Sequence, residues 1–320
     1  MPDADVDTAL VAVADALRSA DSVAIMCHQR PDADTTGSAL ALRRTLGRLG
    51  IDASVSAPDG VPLPPALASL PGAEAFGAPR AGAAVAVAVD CASAERLGDL
   101  QLAFEAAPVR LVIDHHRSNV GFGTVDVVDP TANCTTELIL RLADALGVEP
   151  DQPTADCLYA GLVTDTGSFR WSNPDGHAIA SRLLAAGAKG AELARTLLDS
   201  HPMGWLRLTA RVLASATEVP SAFGGRGVVY SVCTADDLGD LPWDAAESLI
   251  DLLRTVDSAE VAALFKEGEP GRWSASLRAK ADVDVSEFAR GFGGGGHRLA
   301  SGYSADGDAD EVVRAFLARV

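Results

Sequence analysis

The sequence predicts an α/β fold: an N-terminal, mainly parallel sheet flanked by helices, and a smaller C-terminal α/β domain joined to it by a helical linker. Three observations lead there. Short continuous apolar runs, Ser22–Cys27, Ala83–Val89 and Val109–Ile113, suit strands buried on both faces. Stretches of helical periodicity alternate with them. A length of 320 residues suits two domains, each with its own core.

Taken in order, Ser22–Cys27 is a β-prone run, followed by a polar loop and a helix-like stretch over Gly37–Leu49. Ala83–Val89 and Val109–Ile113 are the next strands. Thr135–Leu146 carries Leu138, Ile139, Leu142 and Leu146 at helical spacing, and Gly147 is a suitable stop. Pro153–Val163 also reads as helix, with Pro153 in its first turn. His177–Ala186 continues the α/β character, and Met203–Ala216 reads as a connecting helix. After Pro220 come strand-like runs at Gly227–Val232, Val261–Lys266 and Trp273–Arg278, with a helix at Ala246–Val256. The expected division is 1–198, a linker over 199–218, and 219–320.

Composition narrows the function. A net charge of −18 argues against the basic stripe that grips long nucleic acid, but not against a small anionic substrate held by metal ions and a few local cations. No apolar run is long enough to cross a bilayer. Asp3, Asp5 and Asp7 stand where a secretory signal would be basic, so a cytoplasmic protein is expected. The 5 cysteines are scattered and never form C-x-x-C, which points to small buried hydrophobes.

The chemistry gathers where apolar runs end. Ser22–Cys27 leads into His28, Asp32 and Asp34; Ala83–Val89 into Asp90; Val109–Ile113 into Asp114, His115 and His116. Asp165 is expected just past a helix ending near Val163. Ligands of open α/β sheets bind beyond the carboxyl ends of the strands, so these segments deliver carboxylates and imidazoles to one edge. One aspartate alone would be an ordinary cap. Several converging would repel one another unless cations offset them. Oxygen and imidazole donors without thiolate suit Mn²⁺, Mg²⁺ or a similar ion, and two ions about 3.5–4 Å apart suit phosphoryl hydrolysis. In the second part, Gly293–Gly296 runs directly into His297, and glycine N–H groups can form an anion-binding concavity. Arg278, upstream, matches phosphate oxygens bidentately.

Four segments, H-Q-R-P-D-A-D (His28–Asp34), V-A-V-D (Val87–Asp90), I-D-H-H-R-S-N (Ile113–Asn119) and G-L-V-T-D-T-G-S-F-R (Gly161–Arg170), resemble in order the motifs of DHH-family phosphoesterases. S-L-R (Ser276–Arg278) and G-G-G-G-H (Gly293–His297) resemble the DHH-associated C-terminal domain. The resemblance is to the branch of oligoribonucleases (nanoRNases) that also dephosphorylate 3′-phosphoadenosine 5′-phosphate, some of which hydrolyse cyclic di-AMP.

The resemblance implies two divalent ions, Mn²⁺ first with Mg²⁺ or Co²⁺ as alternatives. His28 and Asp32 would hold one, Asp34, His115 and Asp165 the other, with Asp90 bridging. A hydroxide shared by the ions would attack phosphorus in line. Asp114 would orient the histidine pair, and His116 would contact the scissile phosphate or the leaving oxygen, as a general acid. Arg278, Gly294, Gly295, Gly296 and His297 would bind the substrate, with Arg298 and Ser301 assisting. A substrate bridging the two domains would be selected for shortness. A homodimer is implied as well. The alternatives are an inorganic pyrophosphatase or polyphosphatase of the same superfamily, against which the glycine run counts, and a nucleotide-binding regulator without catalysis.

Overall fold

The computed structural model describes residues 3–320 apart from 61, and the chain divides at Ser200/His201 into two units. In the first unit, β1 (Ser22–Met26), β2 (Asp52–Ser56), β3 (Val85–Val89), β4 (Val109–Asp114) and β5 (Val125–Val128) form a sheet in the order β2-β1-β3-β4-β5. Every pairing in it is parallel. The apolar runs are continuous because both faces are covered. Val23, Ile25, Val87 and Ile113 pack into one core with the helices Ala33–Arg48, Thr135–Leu146 and Gln152–Asp165. Ala24, Met26, Ala88 and Val112 pack on the other face with Leu97, Leu100 and Phe104.

The chain leaves β1 for β2 on one side and returns to β3 on the other, so strand order reverses between β1 and β3. That crevice is where an open parallel sheet binds ligands. The helices Ala33–Arg48 and Gln152–Asp165 cross close beside it, and glycine makes the approach feasible. A Cβ on Gly37 would lie 2.3 Å from the Cys157 carbonyl oxygen, and one on Gly161 would lie 2.5 Å from Asp34 Oδ1.

The second unit holds a mixed sheet of β6 (Thr217–Val219), β7 (Val228–Cys233), β8 (Val261–Glu269), β9 (Arg272–Ala279), β10 (Gly295–His297) and β11 (Ala300–Asp306), in the order β10-β11-β9-β8-β7-β6. β7 and β8 are parallel and the other pairs antiparallel. One face packs on Val285, Ala289, Val312 and Phe316, the other on Leu208, Val212, Leu249 and Leu253. The Met203–Ala214 helix, read from the sequence as a connector, is thus part of this unit's core.

Several boundaries differ from the sequence reading. The first helix after β1 begins at Ala33, because Asp32 accepts hydrogen bonds from the N–H groups of Asp34 and Thr35 and starts it four residues early. The helix expected to stop near Val163 runs on to Asp165. In the stretch expected as one helix over Ala246–Val256, a 3₁₀ turn at Trp243–Ala246 precedes a short helix over Leu249–Leu253.

Candidate metal centre

The site is assembled at the reversal point. β1 delivers His28, and Asp32 and Asp34 stand at the N-terminus of the helix that follows. β3 delivers Asp90. β4 ends at Asp114 and passes directly to His115 and His116. Asp165 closes the Gln152–Asp165 helix. Asp34, Asp90 and Asp114 are buried to 0%, 2% and 0% exposure, and His28 and His115 to 3% and 4%, so these carboxylates are removed from the water that would stabilise them.

Asp90 lies at the centre. His28 Nε2 is 3.3 Å from its Oδ2 and 3.7 Å from Asp32 Oδ2. His115 Nε2 is 3.7 Å from Asp90 Oδ1, 3.8 Å from Asp34 Oδ2 and 3.1 Å from Asp165 Oδ2. Among the groups with donor atoms close enough to hold an ion, His28–Asp32–Asp90 and Asp34–Asp90–His115 share Asp90, as does Asp90–Asp114–His116, in which His116 is bonded to Asp114. Its backbone takes a left-handed conformation, φ 61, costly for a residue with a Cβ, and its N–H is tied to the Ile113 carbonyl at 2.9 Å. Such strain, over-determined by the surrounding sheet, aims the carboxylate into the crevice.

The neighbours hold these groups from behind. Both Asp34 oxygens accept backbone N–H bonds at the start of the Thr135–Leu146 helix, from Thr135 at 2.7 Å and Thr136 at 2.9 Å. The Thr135 hydroxyl donates to Asp90 Oδ1 at 2.9 Å. Asp114 Oδ1 meets His116 Nδ1 at 2.7 Å, and Asn119 donates to Asp114 Oδ2 at 2.7 Å and to the Cys91 carbonyl at 3.0 Å. Asp165 is presented by an abrupt turn in which Gly167, Ser168 and Phe169 are all left-handed. Trp171 Nε1 ties back to the Asp165 carbonyl at 2.7 Å.

The electrostatics are those of an anion cluster short of positive charge. Burial, then the charge of Asp165, pushes Asp34 up to about 7. Burial, then Asp34 and Asp32, raises Asp90 well above the carboxylate range. Burial presses His115 toward its neutral form, but the carboxylates of Asp165, Asp34 and Asp90 outweigh it and raise its pKa. Asp114 is the exception: burial works against its charge, yet His116 and Asn119 prevail and hold it low. Carboxylates raised by burial and by one another, with imidazole nitrogens and no thiolate among them, fit divalent ions. The 5 cysteines are free and buried.

In the second unit, β10 and β11 pair His297 with Ala300, and β11 and β9 pair Ala300 with Arg278. Residues directly opposite across antiparallel strands share a sheet face, so His297 and Arg278 flank Ala300 on the same face. The second half of the glycine run is strand, and Gly293 and Gly294 lead into it from a turn. A Cβ on Gly294 would lie 2.1 Å from the Gly302 carbonyl, and Gly295 and Gly296 begin β10. The Ser301 hydroxyl is occupied, donating to the Val285 carbonyl at 2.6 Å from a buried position, which removes it from the residues able to assist a ligand. Arg298 is exposed in the turn, and its carbonyl accepts the Val285 N–H.

Sequence reasoning passed over Thr35, Arg96, Asn119, Thr135 and Thr136, which support or border the acidic cluster. Asn119 lay in plain view, at the end of the I-D-H-H-R-S-N segment. The two threonines act through backbone N–H groups as well as side chains, and only their place at a helix start could have signalled them.

These observations define the class, and the chain belongs to the DHH family of phosphoesterases. Residues 22–162 match the DHH family, N-terminal domain, and residues 224–320 match the DHHA1 domain. The chain is 32% identical to the bifunctional oligoribonuclease and PAP phosphatase NrnA of Thermus thermophilus, over 96% of this chain and 92% of that protein. It is 26% identical to the protein of the same name from Bacillus subtilis, over 92% and 93%. An exopolyphosphatase-related protein from Bacteroides fragilis shares the fold, with a TM-score of 0.83 at 24% identity over 97% of this chain and 94% of that one.

Proposed function

We propose that the protein is a cytoplasmic hydrolase of short oligoribonucleotides that also removes the 3′-phosphate of 3′-phosphoadenosine 5′-phosphate, using two divalent ions, Mn²⁺ in preference to Mg²⁺ or Co²⁺. The observation that carries this reading is the sharing of Asp90 between two ion-sized donor groups. His28 and Asp32 would complete one ligand set, and Asp34, His115 and Asp165 the other. The ions would supply Lewis acidity and a water activated at neutral pH. Asp90 holds the two sets in register through its constrained backbone. Asp114 fixes the ring of His116 through Nδ1, and His116 would meet the leaving oxygen and hand it a proton. Arg278 and His297, with Gly294, Gly295 and Gly296, would take a phosphate or base of the substrate.

Substrate length is supported from two sides. The two relatives named above carry names for oligoribonucleotides and PAP, and a net charge of −18 disfavours long polyanions. Among the described residues, no helix is long and apolar enough to cross a membrane. Cyclic di-AMP is a further candidate substrate and a homodimer the expected assembly, which sedimentation equilibrium would test. In this division of labour the first unit, up to Ser200, carries the metals, and the second, from His201 on, binds substrate.

The test is a set of initial rates with Mn²⁺ on RNA of two to about twenty-four nucleotides, beside 3′-phosphoadenosine 5′-phosphate, cyclic di-AMP and pyrophosphate. Rates highest on dinucleotides and falling steeply with length are expected. Rapid pyrophosphate cleavage with inert RNA would overturn the substrate assignment.

A further inference from the structure

The His28 ring turns Nε2 toward Asp90 and Asp32. Its other nitrogen faces two groups that require opposite tautomers. The Gln29 carbonyl, 2.8 Å from Nδ1, can only accept, so it requires a proton there. A guanidinium nitrogen of Arg96, 3.1 Å from Nδ1, can only donate, so it requires a lone pair. A neutral imidazole has one proton and can satisfy one of them. With Nδ1–H on Gln29, Nε2 offers its lone pair to a cation. With Nδ1 accepting from Arg96, Nε2 carries the proton, donates toward Asp90 and cannot ligate. Arg96 therefore favours the form of His28 that cannot hold a metal.

The main chain around Arg96 is fixed. Gln29 N–H donates to the Arg96 carbonyl at 2.8 Å, and Arg96 N–H donates to the Ser93 carbonyl at 3.2 Å. Leu97 is fully buried. Gly98 is left-handed, φ 53, and a Cβ there would lie 2.7 Å from the Gln29 side-chain nitrogen. What remains free to move is the arginine side chain, on an exposed residue whose charge reaches Asp32.

We propose that Arg96 is a substrate-phosphate contact that rests on His28 in the metal-free tautomer and is released by metal binding. When His28 gives its Nε2 lone pair to an ion, Nδ1–H turns to Gln29 and the guanidinium loses its acceptor. It then stands beside Asp32, where its planar fork can take two oxygens of a phosphoester. Metal loading and phosphate binding are thereby coupled through one side chain. The substrate half of this inference rests on the phosphoesterase reading.

The experiment compares wild type, Arg96→Gln and Arg96→Lys, each checked for folding by circular dichroism. Calorimetric titration with Mn²⁺ reports the metal, and titration of the Mn²⁺-loaded proteins with inorganic phosphate reports the anion. Arg96→Gln is expected to bind Mn²⁺ several-fold more tightly, having lost a competing donor and a like charge. It is expected to bind phosphate about tenfold more weakly, with KM on a dinucleotide rising more than kcat falls. Arg96→Lys, which keeps the charge without the fork, should recover part of the phosphate affinity. A residue with a merely structural role would weaken both ligands together. That result, or no change in either, would overturn the proposal. A wild type inert on dinucleotides would count against the phosphoesterase reading, while both titrations would still decide the role of Arg96.

Discussion

The two candidate regions of this molecule are built in opposite ways. The acidic cluster in the first unit is buried, strained at Asp90 and held from behind by helix N-termini, with its residues coming from the ends of three adjacent strands and two helices. The Arg278–His297 corner of the second unit is half-buried, and strand register brings its residues together across Ala300. In the first region, geometry is imposed at a cost in buried like charge. In the second, a half-buried arginine and a short glycine strand are placed near one another at little electrostatic cost. The difference is what chemistry demands of a catalytic centre as against a recognition surface. Reacting atoms need pre-set positions, whereas a phosphate or base needs a complementary charge within reach.

Breaking the first region should cost far more than breaking the second. Asp90→Ala removes the carboxylate common to both donor groups, and activity on dinucleotides is expected to fall by at least about 10³-fold. Folding should survive, since a buried, repelled carboxylate is lost. A variant retaining a tenth of wild-type activity would show that the groups do not depend on Asp90. Arg278→Ala should raise KM by about 10- to 100-fold, the worth of a hydrogen bond to a charged group, with kcat less affected. Equal loss in kcat alone would move Arg278 from recognition to the reaction itself. Asn119→Ala frees one oxygen of Asp114 and loosens the His116 ring. It should lower kcat about tenfold, as for other groups supporting a ligand from outside, and leave KM almost unchanged.

The same contrast explains what could be read before the structure. β1, β3 and β4 were legible because strands covered on both faces must be continuous in apolar residues, and the aspartates and histidines follow them directly. The Thr135–Leu146 helix was legible in both its periodicity and its Gly147 stop, left-handed at φ 75. β2 (D-A-S-V-S) and β5 (V-D-V-V) were not read. Both are short and lie at the edges of the sheet, and β2 is rich in small and polar residues. β10, made of two glycines and a histidine, has no strand propensity at all and exists only because β11 pairs with it. Asp165 was placed just beyond its helix because nothing in the sequence marks the helix end. The chain turns only after Asp165, in the left-handed Gly167–Phe169 segment. Arg96 carried no signal, since its relation to His28 depends on the main-chain bond between Gln29 and Arg96.

The buried charge of the first region predicts a pH dependence of stability in metal-free protein. A carboxyl group whose pKa is raised on folding binds more protons folded than unfolded, so its contribution declines as pH rises from its ordinary value through the raised one. Asp34, pushed up to about 7, and Asp90, also raised, both act in this sense. The raised His115 adds to it, since its favourable charge is present at low pH and lost as pH climbs through its folded pKa. Asp114, held low, has the opposite sense, but its contribution is lost only as pH falls below the ordinary carboxylate value. Between about pH 5 and 8 the chelated protein should therefore melt at progressively lower temperature. Mn²⁺ should raise the midpoint more at the alkaline end, where the ligands are already deprotonated. Asp90→Asn, which removes one of the competing charges, should flatten the profile of the chelated protein. A chelated wild type that melts no lower at pH 8 than at pH 5 would mean the carboxylates are not held as closely as the structure places them. The effect is the smallest of those proposed, yet it reads the electrostatic cost of the centre without any turnover.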